Sequence, residues 1–139
     1  MRVMVIVKAT KETEAGIPPS REKMEPMGKF NQELIDAGIL VAAEGLQASS
    51  KGKRVRFTDG KKIVIDGPFA ETKELAAGFW LWDVKSMDEA VEWLKRAPFA
   101  DGTEVEIRKT FEAEDFGPDL ADEMRERRAK VRAQLEKHR

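Results

Sequence analysis

The fold is decided by one stretch near the middle of the chain, Gly78-Phe79-Trp80-Leu81-Trp82-Asp83-Val84. It is the most apolar strand-like run in the sequence, and its aromatic residues favour β-structure. Because side chains alternate along a strand, Trp80, Trp82 and Val84 share one side, while Phe79 and Leu81 share the other. Both sides are apolar, so we predict a central strand whose two faces both need cover.

Further strands and a hairpin surround this stretch. Apolar or alternating runs predict strands at residues 3–7, 39–44 and 104–110. The dipeptide Asp59-Gly60 is typical of a two-residue hairpin turn, and it predicts a hairpin formed by Lys53 to Thr58 and Lys61 to Ile65. The segment from Thr10 to Ser20 contains a glycine and two prolines and is predicted as a loop.

Two helices complete the pattern. The first runs from a cap at Ser20 to a stop at Gly38, and Pro26 either kinks it or marks its first turn. The second begins at Ser86, where Glu89 three residues later indicates a capping box, and ends before Pro98.

The order strand, helix, strand, hairpin, strand, helix, strand predicts an α+β, ferredoxin-like fold. Its helices cover one face of a mainly antiparallel sheet, and the hairpin is an insertion. Two helices cover only one face, so we predict a homodimer packed sheet to sheet, with an interface that includes the face bearing Trp80 or Trp82. The alternative is that residues 110–139 fold back over the second face.

Composition excludes several classes of protein. The 139 residues are enough for one domain, and 25 basic against 26 acidic residues leave a net charge of −1, which argues against a nucleic-acid partner. The uncharged run from Leu75 to Trp82 is far shorter than the ~20 residues that span a bilayer, so no membrane partner is expected. The N-terminal apolar run is too short for a signal peptide, so we expect a cytoplasmic protein.

The lack of cysteine and the position of the single histidine, His138, exclude further chemistry. A chain without cysteine has no disulfide, thiolate nucleophile or sulfur-ligated metal. A histidine one residue from the end argues against histidine-based metal sites and catalytic triads. We therefore expect no metal site and no cofactor.

The last part of the chain has a different character. From Pro118 on, a narrow apolar stripe of Leu120, Met124, Val131 and Leu135 runs through a segment rich in charge. Acidic residues are interspersed with the basic ones, which favours a solvated helix over a nucleic-acid arm. Such a helix docks on one edge of the domain or pairs across a dimer. We therefore divide the chain into a domain of residues 1–117 and a charged helical extension of residues 118–139.

A family resemblance rests on the segment Asp66-Gly67-Pro68-Phe69-Ala70-Glu71-Thr72-Lys73-Glu74. With Gly38-Ile39-Leu40 and Glu44-Gly45-Leu46 before it and Gly78-Phe79-Trp80-Leu81 after it, this segment resembles the DGPF-domain branch of the YCII-related family. The resemblance covers most of residues 1–117 and implies a ferredoxin-like domain that pairs into a dimeric α/β barrel.

The resemblance also implies a range of functions. Most members have no assigned activity, some occur beside alternative sigma factors, and a few relatives are enzymes that act on small aromatic compounds. An Asp-His pair has been proposed as catalytic in the wider family. This sequence has no internal histidine, so that mechanism does not transfer to it.

Asp66 and nearby acids are the candidate site residues. Asp66 either accepts backbone N–H bonds in an Asx-type turn or presents a carboxylate at the mouth of a ligand pocket floored by Trp80 or Trp82. Glu44 ends a strand and can approach Asp66, where two close carboxylates form an acid–base pair or hold a hard cation. Glu71 belongs to the same group, or else pairs with Lys73 or with solvent.

From these observations we predict a dimeric domain that binds a small molecule or acts as an accessory module. One alternative is a cofactor-independent lyase or hydrolase that acts on a small, for example aromatic, substrate, with Asp66 as the general acid or base. The other is an interaction protein associated with sigma-factor regulation. Whether the protein is an enzyme stays open at this point.

Overall fold

The computed structural model describes residues 1–70 and 74–138. Its backbone divides into two compact units, one of residues 2–109 and one that begins at Thr110 and includes Met1. The elements of the first unit are β1 (Arg2–Lys8), α1 (Lys11–Glu14), α2 (Arg21–Asp36), β2 (Leu40–Gly45), a 3₁₀ turn (Ser49–Lys51), β3 (Lys53–Thr58), β4 (Lys61–Asp66), β5 (Ala76–Asp83), α3 (Met87–Lys95) and β6 (Val105–Lys109). The second unit contains a 3₁₀ turn, Ala113–Phe116, and α4 (Ala121–Lys137).

The strands form two separate sheets. Four of them make a sheet in the order β2-β5-β1-β6, in which every neighbouring pair is antiparallel, and β3 pairs with β4 in a two-stranded sheet. The predicted α+β class, with an antiparallel sheet and an added hairpin, is confirmed. The strand β5 lies inside the sheet, between β2 and β1, as its two apolar sides predict.

The hairpin turn also has the predicted conformation. Asp59 has φ = 47° and Gly60 has φ = 73°. A type I′ turn requires positive φ at both central residues, and Asp-Gly tolerates this better than most pairs do. The register Thr58↔Lys61 follows directly from the two-residue turn.

One face of the four-stranded sheet is the core of the first unit. Val3 pairs with Trp82 and Val5 pairs with Trp80, so these four side chains share that face. Val3, Val5 and Trp82 are fully buried. The ring of Phe30, from α2, meets Trp80 edge-on at 5.9 Å and Trp82 at 6.3 Å. Helix α2 therefore covers the tryptophan face within a single protomer.

This arrangement corrects the predicted interface. The face bearing Trp80 and Trp82 cannot also be the contact between subunits, because Phe30 and its neighbours already bury it. Alternation along β5 shows that two apolar sides exist but does not say which one meets the helices. The fully buried valines of β1 lie on the tryptophan side, and together with the indoles they make it the more apolar surface.

Helix α1 was not predicted, because Gly16 and the prolines after it indicated a loop. It is short and is held by a reciprocal pair of bonds between Thr10 and Thr13. The Thr13 N–H donates to Thr10 Oγ1 at 3.2 Å, and the Thr10 N–H donates to Thr13 Oγ1 at 2.8 Å. Threonine thus takes the position that glutamate usually holds in a capping box.

The predicted helices are present, and each begins directly after its predicted cap, Ser20 or Ser86. Pro26 lies inside α2 and does not mark its first turn, since the helix begins at Arg21. The cap of α3 is confirmed by a bond from the Glu89 N–H to Ser86 Oγ at 3.1 Å. The Glu89 carboxylate reaches the N–H of Lys85 at 3.4 Å, one residue before the position that a capping box uses. Within the two described ranges, no helix combines the length and apolar character needed to cross a membrane.

Candidate functional site

The signature tetrapeptide Asp66-Gly67-Pro68-Phe69 leaves β4 and lies directly against the loop that precedes β3. The Gly67 N–H donates to the carbonyl of Gly52 at 3.0 Å, and the Gly67–Pro68 peptide bond is cis. A Cβ on residue 67 would stand 1.7 Å from the carbonyl oxygen of Ser49. Only glycine fits there, so the motif brings two backbone segments into contact.

Glu14 and Ser49 hold this contact from the other side. The Glu14 carboxylate accepts the Ser49 N–H at 3.0 Å and also the Ser49 hydroxyl, and Ser49 Oγ accepts the N–H of Phe69 at 3.1 Å. The Ser49 hydroxyl, followed by its N–H, keeps the pKa of Glu14 below its ordinary value, and burial opposes this weakly. We call this set of contacts, Glu14, Ser49, Gly67 and Phe69, the clasp. The guanidinium of Arg54 lies over one member of the clasp, 3.8 Å from the centre of the Phe69 ring.

Sequence reasoning missed Glu14 and Ser49. They lie 35 residues apart and belong to no recognisable spacing pattern. The signal that could have led to them is the glycine of the motif, which implies a backbone partner at close range without identifying it.

Asp66 lies at the base of the hairpin and is exposed. It stands opposite Lys53 in the β3–β4 register, and its Oδ1 lies 2.6 Å from Lys53 Nζ. Three quarters of its side chain is accessible (75%). Among the described residues, its carboxylate pairs with Lys53 and accepts no backbone N–H of the turn. Trp80 and Trp82 belong to the other sheet, and a pocket that joins them to Asp66 stays a prediction.

Both tryptophans are core residues of the first unit. The Trp80 Nε1 donates to Asn31 Oδ1, from α2, at 2.9 Å, and its ring meets Phe99 edge-on at 6.0 Å. The Trp82 Nε1 is buried and has no hydrogen-bond partner within the described part of the chain. Their role as walls of a ligand pocket stays a prediction, and any such pocket would have to reach indoles that are 5% exposed or less.

The opposite face of the four-stranded sheet is different. Its centre consists of half-buried apolar residues, which we call the open face: Met4, Ile6, Ala42, Phe79 and Leu81. Pairing across the strands arranges them in two rows. One row runs Glu44, Phe79, Ile6, Glu106, and the other runs Ala42, Leu81, Met4, Arg108. The first row therefore has an acid at both ends, and the second has a charged residue, Arg108, at one end.

The two acids of the first row have different surroundings. Glu106 lies 3.1 Å from Lys8 and 3.7 Å from Arg108, so its charge is compensated. Glu44 is exposed and has no ion-pair partner among residues 1–70 and 74–138. It is thus an uncompensated carboxylate that stands opposite the half-buried Phe79 in the β2–β5 register.

Of the three acids in the predicted carboxylate cluster, the structure describes Glu44 and Asp66. Glu44 lies in the four-stranded sheet and Asp66 in the two-stranded one, where it pairs with Lys53, so a close pair of these two acids stays a prediction. Glu71 and its predicted partner Lys73 lie outside the described residues. Within the described ranges, no three His, Cys, Asp or Glu side chains gather closely enough to hold a metal ion.

The hairpin β3–β4 carries an exposed apolar surface of its own. Phe57 is 73% exposed and Val64 is 61% exposed. A shallow depression at its tip is lined by residues 57–62 and is open to solvent. It lacks the enclosure and the convergent polar groups that small-molecule sites usually have, so we assign it no ligand.

Comparisons with known proteins give one family match. The model of the YCII-related domain matches residues 1–114. The chain is 36% identical over 72 residues to an uncharacterised protein of Rhizobium meliloti (strain 1021). That match covers 52% of this chain, and the chain spans only 58% of the length of that curated relative.

A solved structure is also similar. It is the 5-chloro-2-hydroxyhydroquinone dehydrochlorinase of Burkholderia phenoliruptrix AC1100 in complex with 2,5-dihydroxybenzoquinone. The TM-score is 0.40 at 13% sequence identity, over 79% of this chain and 94% of that one.

Proposed function

Since this chain belongs to the YCII-related family, we propose that it forms a homodimer through its open face and binds a small molecule between the two sheets. The dimer would be the ferredoxin-like, dimeric α/β barrel that the sequence resemblance implies. We also propose that the chain belongs to the DGPF branch of the family, on the strength of Asp66-Gly67-Pro68-Phe69 and the clasp built around Gly67.

The observation that carries the proposal is the row Glu44, Phe79, Ile6. Half-buried apolar side chains at the centre of a sheet gain free energy when a second surface covers them. The uncompensated carboxylate at one end of the row would then be partly desolvated, which favours a partner that donates hydrogen bonds or carries positive charge. A space between two such sheets would have apolar walls and an acceptor at its rim.

These features define the ligand chemistry. We expect a small molecule with an apolar body that lies against Phe79 and a hydroxyl or amino group that donates to Glu44. Among the described residues of the predicted pocket, Glu44 is the one on the open face. The proposal therefore gives Glu44 the role of ligand acceptor and treats Asp66 as a residue to be tested beside it.

Self-association is tested first, by size-exclusion chromatography with light scattering over a wide range of concentration. We expect a dimer whose association weakens about tenfold or more in Phe79→Asp, because a charge is placed in the centre of the open face. The matched control is Phe57→Asp, which makes the same change at an exposed position in the separate β3–β4 sheet and should leave the association unchanged. A wild-type protein that stays monomeric at every concentration contradicts the dimer.

Ligand binding is tested by thermal melts with small phenols, carboxylates and divalent cations. Ligands that donate hydrogen bonds should raise the melting temperature of the wild type, and the rise should be smaller in Glu44→Gln, whose neutral amide oxygen is a weaker acceptor. Asp66→Asn serves as the comparison and should retain the response. Loss of the response in Asp66→Asn with retention in Glu44→Gln would move the site to the base of the hairpin. The absorbance of the phenols is followed in the same samples, so that a lyase or hydrolase activity would be detected.

A further inference from the structure

Helix α4 leaves an apolar stripe exposed. Leu120, at its N-cap, is 46% exposed, Val131 is 54% exposed and Leu135 is 62% exposed, while Met124 is half-buried. The spacing of four, seven and four residues keeps these side chains on one side of the helix. We call them the α4 stripe. They lie beyond residues 1–114, where the family match ends, so the family domain does not account for them.

The charges of α4 are divided along its length. Residues 121–126 contain three acids and one base, a net charge of −2, and residues 127–137 contain five bases and one acid, a net charge of +4. In the basic half, Lys130, Arg132 and Lys137 have no carboxylate partner among the described residues. The helix dipole favours this polarity at the two ends, but it gives no reason for an apolar stripe.

We propose that α4 pairs antiparallel with α4 of a second copy of this chain. An antiparallel pair sets the acidic half of each helix beside the basic half of the other, whereas a parallel pair would set +4 beside +4. It also buries both stripes together. A two-fold axis beside residues 127 and 128 brings Leu120 opposite Leu135 of the other copy and Met124 opposite Val131 of the other copy, so the stripe is complementary to itself.

The centre of this pair carries two arginines, of which Arg127 is compensated by a carboxylate. Arg127 is bonded to Glu123 at 2.9 Å on the same helix. The guanidinium of Arg128 lies 6.0 Å from the ring of Phe116. Both residues flank the stripe, and arginine stems can cover apolar surface while their head groups stay in water. At the axis, each copy therefore contributes an arginine paired within its own helix and a long apolar stem that can cover the stripe.

The proposal is independent of the open face, and cross-linking tests it directly because the chain has no cysteine of its own. Full-length Met124→Cys and Val131→Cys are oxidised separately and as a mixture. In an antiparallel pair, Cys at 124 faces Cys at 131 of the other copy, while two identical positions lie about 10 Å apart along the axis. We expect a disulfide-linked species in the mixture at least tenfold above that in either single sample. The control mixture, Ala129→Cys with Ala133→Cys, places the thiols on the opposite side of α4 and should give the background level.

Three outcomes overturn the proposal. Cross-linking of Met124→Cys to itself above the mixture indicates a parallel pair, and cross-linking equal to the control mixture means that another surface covers the stripe. The third outcome comes from comparing the self-association of two full-length double variants. The variant Val131→Glu with Leu135→Glu should weaken self-association about tenfold or more. The variant Ala129→Glu with Ala133→Glu adds the same charge on the opposite side of the helix and should leave self-association unchanged. Equal effects of the two double variants show that only charge matters. The cross-link should also form in the Phe79→Asp chain, so loss of the open-face dimer and loss of the α4 pair are distinguishable.

Discussion

The α-carbon of Gly67 lies so close to the backbone of Ser49 that a Cβ would stand 1.7 Å from the Ser49 carbonyl oxygen. This contact joins the end of β4 to the loop before β3, and the carboxylate of Glu14 fixes the loop through the N–H and hydroxyl of Ser49. The signature tetrapeptide thus has a structural role, because it connects the β3–β4 hairpin, through Ser49, to Glu14 of α1.

Alanine should have opposite effects on stability at Gly67, which makes this contact, and at Gly28, which does not. Gly67→Ala should lower the free energy of unfolding by about 1–3 kcal/mol, because one of two backbone segments has to move. Gly28→Ala, in α2, should raise it by about 0.5–1 kcal/mol, since nothing lies within 4 Å of its Cβ and alanine favours a helix. Urea denaturation of both variants measures the two changes. A Gly67→Ala protein as stable as the wild type would show that the backbone of the clasp can move without a loss of stability.

The bond between Glu14 and Ser49 predicts a dependence on pH. The pKa of Glu14 is lowered in the folded state, so its charged form stabilises the protein above the unfolded pKa of about 4.3, and this is lost as pH falls through the folded pKa. Glu14→Gln should therefore melt below the wild type at neutral pH, and the gap should close as the pH falls through the acid range. Glu12→Gln removes a carboxylate from the same helix without touching Ser49 and is the control. A gap that stays constant with pH would contradict the assignment.

Asn31 accepts the indole N–H of Trp80 and so ties α2 to β5. Asn31→Ala should cost about 1–3 kcal/mol of stability, because the Trp80 N–H is left buried without a partner. The neighbouring Gln32→Ala removes an exposed bond to Asp36 and should change stability by less than about 0.5 kcal/mol. Denaturant unfolding followed by tryptophan fluorescence measures both variants. Equal midpoints would mean that water replaces Asn31 at the indole.

Deletion of residues 119–139 tests the proposed domain boundary. The strands and their helices are complete before this point, so the remaining chain should still melt cooperatively, at a temperature lower by a few degrees at most. Circular dichroism and calorimetry of the truncated protein check this. An insoluble or molten product would show that the extension belongs to the core.

Much of the fold could be predicted because its signals are local or periodic. Asp59-Gly60 demands positive φ at two successive residues and produced the expected turn. Ser86 caps α3 through the predicted bond, and the two apolar sides of β5 correctly indicated an inner strand. Helix α1 was not predicted because its capping threonines stand just before Gly16 and two prolines, and glycine and proline are typical of loops.

The candidate site was harder to predict. Glu44 was selected as an acid at a strand end, and the structure sets it beside Phe79 on the open face. Its expected partner, Asp66, is an exposed residue paired with Lys53. The strand pattern does not show how the two-stranded sheet is placed against the four-stranded one, so a contact between the two acids could not be established from the sequence.

The sequence by itself determined which residues share a side of each strand, where the chain turns and where α3 begins, because alternation, turn torsions and capping depend on neighbours a few positions away. Only the tertiary structure decided that the indoles of Trp80 and Trp82, and not Phe79 and Leu81, lie under α2. Only the tertiary structure brought Glu14 to Ser49 and Ser49 to Gly67. Both depend on contacts between residues far apart in the chain, which follow from how whole elements pack, and the local sequence does not identify the partners.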